Sequence, residues 1–326
     1  MKPLPKIIAV VGTTASGKSA LAMQIAKDFN GEIISVDSRQ IYKDMDIGTN
    51  KDAGDMRVIR REQMPSVPLP ADCPVSLADV LTQVYHVNDI PNYFISVVRP
   101  DQTLTLAHMK ALVDGVIADI VSRGKVPVLV GGTSLYTTAI VNNWQIPDTQ
   151  PDTTLRAELQ ALTTPELVKR LKAVDPARVQ TLDIRNRRRL FRAIEIAEYG
   201  QQGKAQVEGE KTYNALLIAP LVKKDVLYKR INDRVDAMVS AGLIQEVKAV
   251  GEKYGYDCVA MTGHAYQQIG LYLQGKMQLA GALELSKKVT RAYAKRQLTW
   301  WKKYGPVTWV AGYDDAKSVV KSFLTK

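Results

Sequence analysis

Cysteine is scarce in this chain of 326 residues: Cys73 and Cys258 stand far apart and form no C-x-x-C pair. That excludes a disulfide framework and a cysteine-held zinc site, and a reducing compartment is the natural setting. No apolar run approaches the length of a membrane span. The run near the N-terminus, Ile7–Val11, is too short for a signal peptide. A soluble cytoplasmic protein with no membrane partner is expected. Acid is in deficit as well, with 33 Asp and Glu against 44 Lys and Arg, a formal net charge of +11. Such an excess points to a polyanionic partner wherever the cations cluster. Apolar residues (46%) and charged residues (24%) fall in the ordinary globular range, and the length suits one α/β core with a smaller second unit.

What is present is organised around Gly12–Ser19, GTTASGKS, which fits G-x-x-x-x-G-K-[ST]. Ile7–Val11 before it reads as a buried parallel strand, and Ala20–Phe29 after it has helical spacing. A strand, a glycine-bearing turn and a helix N-terminus aim backbone N–H groups at one point. Gly12, Thr13, Thr14, Ala15, Ser16 and Gly17 would cradle phosphate, Lys18 would add a full charge, and the Ser19 hydroxyl would ligate Mg²⁺. The fold class expected is α/β, a P-loop NTPase-like parallel sheet flanked by helices.

Two further strands end near the same crevice. Glu32–Val36 ends on Asp37-Ser38-Arg39-Gln40, and ligands of open parallel sheets bind beyond such carboxyl ends. From the residues alone Asp37 is a helix cap, a partner of the metal's shell or a general base. Pro127–Val130 ends on Gly131-Gly132-Thr133, where Thr133 faces the crevice or caps a helix. Leu106–Val121 is a helix between these strands. Residues 52–92, with Pro65, Pro68, Pro70 and Pro74, read as an irregular surface insertion holding one short helix at Leu77–Val84.

Near Gln145–Pro151 the chain changes character. IPDTQPD is linker-like, and no strand signal follows until about Lys211. Helices are expected at Thr154–Leu162, Thr164–Val174 and Asp183–Tyr199, the second with Thr164 as cap and Pro165 at N1. An all-helical insertion over 146–212 thus divides a core of 1–145 and 213–326. In its last helix Arg185, Arg188, Arg189 and Arg192 fall at i, i+3, i+4 and i+7, a cationic face suited to a phosphate backbone. After it come a strand at Ala215–Ile218, an amphipathic helix at Leu227–Val239, a last strand at Val307–Val310 and a terminal helix at Asp314–Lys326. A second basic stretch, Ser286–Lys303, holds seven cations and no acid, with Tyr293, Trp300 and Trp301 interleaved. Those aromatics either stack on splayed bases or anchor the helix to the core.

Several stretches together resemble the tRNA dimethylallyltransferases of bacterial type. They are GTTASGKS, ISVDSRQIYKDMDIGTNK (Ile34–Lys51), VGGTSLYTTAI (Val130–Ile140), NRRRLFRAIEI (Asn186–Ile196), LYKRINDRVDAMVSAGLIQEV (Leu227–Val247) and TRAYAKRQLTWW (Thr290–Trp301). The resemblance implies transfer of a dimethylallyl group from dimethylallyl diphosphate to N6 of the adenosine 3′ to a tRNA anticodon, by a monomer using Mg²⁺ and no zinc. It implies Asp37 as base with Thr133 as its catalytic companion, and Ser38, Arg39 and Gln40 lining the flipped adenosine. It puts Thr133, Arg156, Arg185, Arg188, Arg189, Leu190, Phe191 and Arg192 on the tRNA. Arg291 and Arg296 would assist the diphosphate. Met261 and the run Thr262, Gly263, His264, Ala265 and Tyr266 would also meet tRNA, although the family has an I-G-Y-K-E-like run where Thr262–Tyr266 stands. Asn92-Tyr93 replaces a histidine pair of the family, and residues 52–91 are longer than its pattern.

Two other classes fit parts of the pattern. A transferase acting on free adenine nucleotides, or a small-molecule kinase, needs the phosphate loop but neither basic region. A catalytically silent RNA-binding protein needs the basic regions, but has no use for Lys18, Ser19 and Asp37 together.

Overall fold

The structure, a computed structural model, describes residues 3–146, 152–199 and 207–326. Most of the expected linker, 147–151, lies outside the described residues. The chain divides into one unit of Met1–Val141 with Lys211–Lys326 and a second of Asn142–Glu210.

The first unit begins with β1 (Lys6–Val10), α1 (Lys18–Asp28) and β2 (Gly31–Ser35). Then come β3 (Asp55–Val58), α2 (Leu77–Thr82), β4 (Gln83–Val87) and β5 (Ile90–Tyr93). Its first segment closes with α3 (Leu106–Ser122), β6 (Val126–Val130) and α4 (Ser134–Val141). The second unit carries β7 (Trp144–Gln145), α5 (Thr153–Ala161), α6 (Thr164–Val174), α7 (Pro176–Thr181), α8 (Arg187–Glu198) and β8 (Val207–Glu208). Back in the first unit are β9 (Asn214–Pro220), α9 (Lys224–Ser240), α10 (Leu243–Tyr254), a 3₁₀ turn at Val259–Thr262 and α11 (His264–Leu273). Last come α12 (Leu279–Lys303), β10 (Val307–Val310) and α13 (Tyr313–Thr325).

Eight strands form one sheet in the order β10-β9-β1-β6-β2-β5-β4-β3, parallel through β5 and antiparallel at β4 and β3. Alternation along β1 sends Ile7 and Ala9 to one face, with α3 and α4, and Ile8 and Val10 to the other, with α1 and α13. Each of Ile7, Ile8 and Val10, fully buried, contributes roughly 1.5–3 kcal/mol. Both faces being covered explains why these strands read as unbroken apolar runs.

The expectation for residues 52–92 needs correction. Three of its segments are strands that extend the sheet, and the longest stretch without regular structure is 59–76. The strands are four or five residues long, β3 is exposed throughout, and Pro91 lies inside β5. That proline is tolerated because β5 meets β2 only through Asn92 and Tyr93. The segment is tied to the core by charge. Burial pushes the Glu32 carboxyl up, but hydrogen bonds from Arg123, Lys125 and Tyr93 outweigh it and bring it down to about 2. Arg61, from the insertion, donates to the Tyr93 hydroxyl and pairs with Asp119 at 3.5 Å.

The second unit is not all helical, since β7 and β8 pair antiparallel at its base. Its core is Leu155, Leu159, Leu167, Leu171, Leu190 and Ile194. The N-cap of α6 is Thr163, one residue earlier than expected, so Pro165 sits at N2 and Glu166 accepts from the Thr163 N–H at 2.7 Å. Asn186 caps α8, accepting from the Arg189 N–H, so Arg185 precedes the helix and the cationic face on α8 is Arg188, Arg189 and Arg192.

Glu32 sets an acid limit. Its folded value lies below the ordinary 4.5, so its stabilisation is complete above pH 4.5 and is lost as pH falls toward about 2. Glu32→Gln is expected to cost about 3 kcal/mol at pH 7 and to flatten the dependence in that window. Urea titrations of both forms between pH 2 and 7 check this; parallel acid profiles would refute it.

Candidate active site

The phosphate loop follows from local backbone demands. Gly12 (φ +133°) and Gly17 (φ +89°) take left-handed conformations, and α1 starts at Lys18 immediately after Gly17. Ala15 packs with Leu227, Ile231 and Ala294, so α9 and α12 lie against the loop. Gln297 of α12, which is buried, accepts from the Thr14 N–H at 2.8 Å and donates to the Gly132 carbonyl. The Ser16 hydroxyl is buried with no hydrogen-bond partner. An orphaned donor inside a loop of inward N–H groups fits a phosphate oxygen. Burial pushes the Lys18 ammonium down to about 8, Asp37 opposes that shift and Arg234 adds to it.

The turn after β2 is held from several sides. The Asp37 carboxylate accepts from the N–H groups of Arg39 (2.8 Å), Gln40 (3.4 Å) and, across the crevice, Gly132 (3.3 Å). The Thr133 hydroxyl accepts from the Ser38 N–H at 3.0 Å and lies 3.1 Å from the Ser38 hydroxyl. It therefore braces the turn, while the Thr133 carbonyl accepts from the Thr137 N–H at the start of α4. Arg39 donates to the carbonyls of Val259 and Ala260 and to the Thr262 hydroxyl. Gln40 donates to the carbonyls of Thr49 and Asn50. That second loop is pinned in turn by Glu246, whose carboxylate accepts from the N–H groups of Asp46, Ile47 and Gly48 and from the Tyr266 hydroxyl.

A Cβ at Gly132 would stand 3.2 Å from Asp37 Oδ2, 3.1 Å from Gln297 Nε2 and 3.9 Å from Lys18 Nζ. Cation, carboxylate and amide therefore converge on one glycine. Behind Ser19 a cavity is lined by Ser35, Gln40, Asp52, Tyr85 and Asn92. Among the described residues no cluster of three or more His, Cys, Asp or Glu could hold a metal alone. A hydroxyl beside a phosphate cradle fits a hard cation that takes its remaining ligands from phosphate and water.

Sequence reasoning passed over Arg234, Gln297 and Glu246, although all three lie in stretches it singled out. The clue in the sequence was that Gln297 shares a helix with Arg291 and Arg296, which it did name. Arg291 donates to Asn232 of α9, whereas Arg296 lies over the Tyr293 ring (5.7 Å) and its charge reaches His264. Trp301 is buried, Trp300 donates to Thr138, and Tyr293 donates to the Gly132 carbonyl, so these aromatics anchor α12. In the run from Met261, Met261 and Tyr266 are core residues and Gly263 is the N-cap of α11. Half-buried His264 lies edge-on to Tyr293 at 5.0 Å.

In the second unit Arg185, Arg188 and Arg189 are exposed. Leu190 is wholly buried in that unit's core and is not available to a ligand. Phe191 is half-buried beneath Arg187. Arg156 pairs with buried Glu195.

Comparison with known proteins converges on one group. The family model described as IPP transferase matches residues 80–304, and one described as isopentenyl transferase matches residues 5–65. The tRNA dimethylallyltransferase of Anoxybacillus flavithermus is 35% identical over 316 residues, 95% of this chain and 91% of that protein. That of Halothermothrix orenii is 38% identical over 316 residues, 93% of this chain and 86% of its own. The crystal structure of the full-length tRNA isopentenylpyrophosphate transferase from Bacillus halodurans aligns with a TM-score of 0.66 and 32% identity, covering 98% of this chain and 95% of that one. A eukaryotic dimethylallyltransferase acting on tRNA shares the fold, with a TM-score of 0.72 at 24% identity, over 98% of this chain and 80% of its own.

Burial brings the Lys18 ammonium down to about 8, so most of its charge is present at pH 7 and is lost progressively as pH rises through 8. Calorimetry with inorganic pyrophosphate is expected to show weaker binding from pH 7 to pH 9. Lys18→Ala should bind at least about tenfold more weakly at pH 7 and lose most of that slope. An equal slope in the variant would remove Lys18 from the site.

Proposed function

This chain belongs to the tRNA dimethylallyltransferase family, and we propose that its crevice moves a dimethylallyl group from dimethylallyl diphosphate to N6 of an adenosine beside the tRNA anticodon. The convergence of Lys18, Asp37 and Gln297 on Gly132 supports the reading best. It brings a cation for a departing diphosphate and a carboxylate for a proton into one space. Loop N–H groups, the Ser16 hydroxyl, Lys18 and Arg234 hold the diphosphate, with Arg291 supporting α9 through Asn232. Ser19 would hold Mg²⁺, which would supply further neutralisation of the leaving group's charge.

The adenine N6 lone pair is delocalised into the ring, so the amine attacks only as its proton is drawn off. N6 forms a bond to C1 of the dimethylallyl group, the C1–O bond breaks, and its electron pair leaves with the diphosphate. Asp37 takes the N6 proton, its carboxylate aimed by three N–H donors. Thr133 and Ser38 fix that turn, Arg39 and Gln40 form its adenosine side, and Arg296 and His264 border it. Arg185, Arg188, Arg189, Arg192 and Arg156 grip tRNA phosphates. The protein acts in the cytoplasm as a monomer.

Purified protein incubated with Mg²⁺, labelled dimethylallyl diphosphate and either unmodified tRNA or AMP tests the reading directly. Label on tRNA is expected, and label on AMP alone would overturn it. Asp37→Ala should lower transfer at least about 10³-fold with tRNA affinity within twofold; normal turnover would dismiss the base. Arg188 and Arg189 both replaced by Ala should weaken tRNA binding and reduce its salt slope by nearly two. An unchanged slope would contradict the backbone grip.

A further inference from the structure

Glu195 is fully buried in the second unit, yet carries a charge. Arg156 Nε lies 2.5 Å from its Oε1, Arg156 Nη2 lies 3.0 Å from Oε2, and Arg192 Nη1 lies 3.3 Å from Oε2. Packing of α5 on α8 does not require this. Leu155, Leu159, Leu190 and Ile194 already fill the space, and Tyr199 donates to Asp152 at 2.6 Å to join the two helices again. A buried carboxylate costs several kcal/mol of desolvation, and an apolar residue of similar size would serve packing as well. What the carboxylate adds is orientation. A two-point bond fixes the plane of the Arg156 guanidinium, which a single contact would leave free to rotate. The bond uses the Nε/Nη2 edge. Nη1 donates to nothing among the described residues, and the side chain is 43% exposed. The opposite edge is thus held outward, a planar pair of donors matched to two oxygens of one phosphate.

We propose that Glu195 is a positioning residue for substrate binding, setting the outward edge of Arg156, with Arg192 as its second tether, to receive a phosphodiester of the tRNA. The inference rests on the reading that the second unit grips tRNA. It assigns the arginines of that unit two modes. Arg188 and Arg189 supply mobile charge, whereas Arg156 is a preset fork whose geometry comes from a carboxylate that never meets the RNA.

The test is steady-state kinetics of the full chain with unmodified tRNA and dimethylallyl diphosphate. Glu195→Gln keeps volume but removes the charge and one acceptor. The KM for tRNA is expected to rise about tenfold, with kcat and the KM for dimethylallyl diphosphate within twofold. Adding Arg156→Ala to Glu195→Gln should cost little more, since both changes remove one fork. A wild-type KM for tRNA would overturn the proposal, as would equal losses in all three parameters or additive losses in the double variant. Should Glu195→Gln fail to fold, Arg156→Lys keeps the charge without the fork. It should show the same tRNA-specific loss, and a wild-type KM there would also overturn the proposal. If the Arg188 and Arg189 double variant weakens binding while Glu195→Gln does not, only the fork is refuted. If neither weakens binding, the tRNA grip itself falls.

Discussion

A partly buried lysine near a carboxylate is the constraint on which the rest of the first unit depends. Lys18 is costly to bury as an ammonium ion, and Asp37 offsets only part of that cost. An anion in the loop would meet the remaining demand, which suits the site to phosphate. The sheet makes this possible. Parallel order brings the ends of β1, β2 and β6 to one edge, and close approach there excludes side chains. A Cβ at Gly131 would come 2.1 Å from the Val36 carbonyl oxygen, so the glycine pair follows from strand spacing as much as from the ligand.

The turn carrying Asp37 is rigid for a related reason. Its polar side chains are engaged by protein before any substrate arrives: Ser38 by Thr133, Arg39 by the 3₁₀ turn, and Gln40 by the loop that Glu246 pins. Arg39 and Gln40 therefore act first as braces. Preorganisation of this kind places the reorganisation cost in folding rather than in the chemical step.

Legibility in the sequence followed the range of the interaction. The phosphate loop, β1, β2, β6 and the helices beside them are set by neighbours in the chain, and their residues announced them. Asp37 could be put at a strand end, but its N–H donor from Gly132 could not be seen, because that residue lies 95 positions away. Gln297 and Arg234 were invisible as site residues because what distinguishes them is contact across the fold. Trp300 and Trp301, placed among cations, left stacking and anchoring both open, and contacts across the fold decide for the anchor: one is core and the other donates to Thr138. Residues 52–92 failed for a third reason: an exposed edge strand of four residues carries no apolar alternation to read.

That same segment shows how a departure from a family pattern can be absorbed. The Tyr93 hydroxyl donates to Glu32 while accepting from Arg61 and Arg123. One long side chain thus joins the inserted strands to a buried charge cluster near the start of β2. With β5 fixed there, the neighbouring Asn92 reaches the cavity behind Ser19, together with Asp52 and Tyr85 from the same segment. The insertion therefore does more than decorate an edge. It supplies one wall of the space next to the phosphate loop, so its sequence can change the contents of that wall while Lys18, Ser19 and Asp37 stay fixed by the sheet.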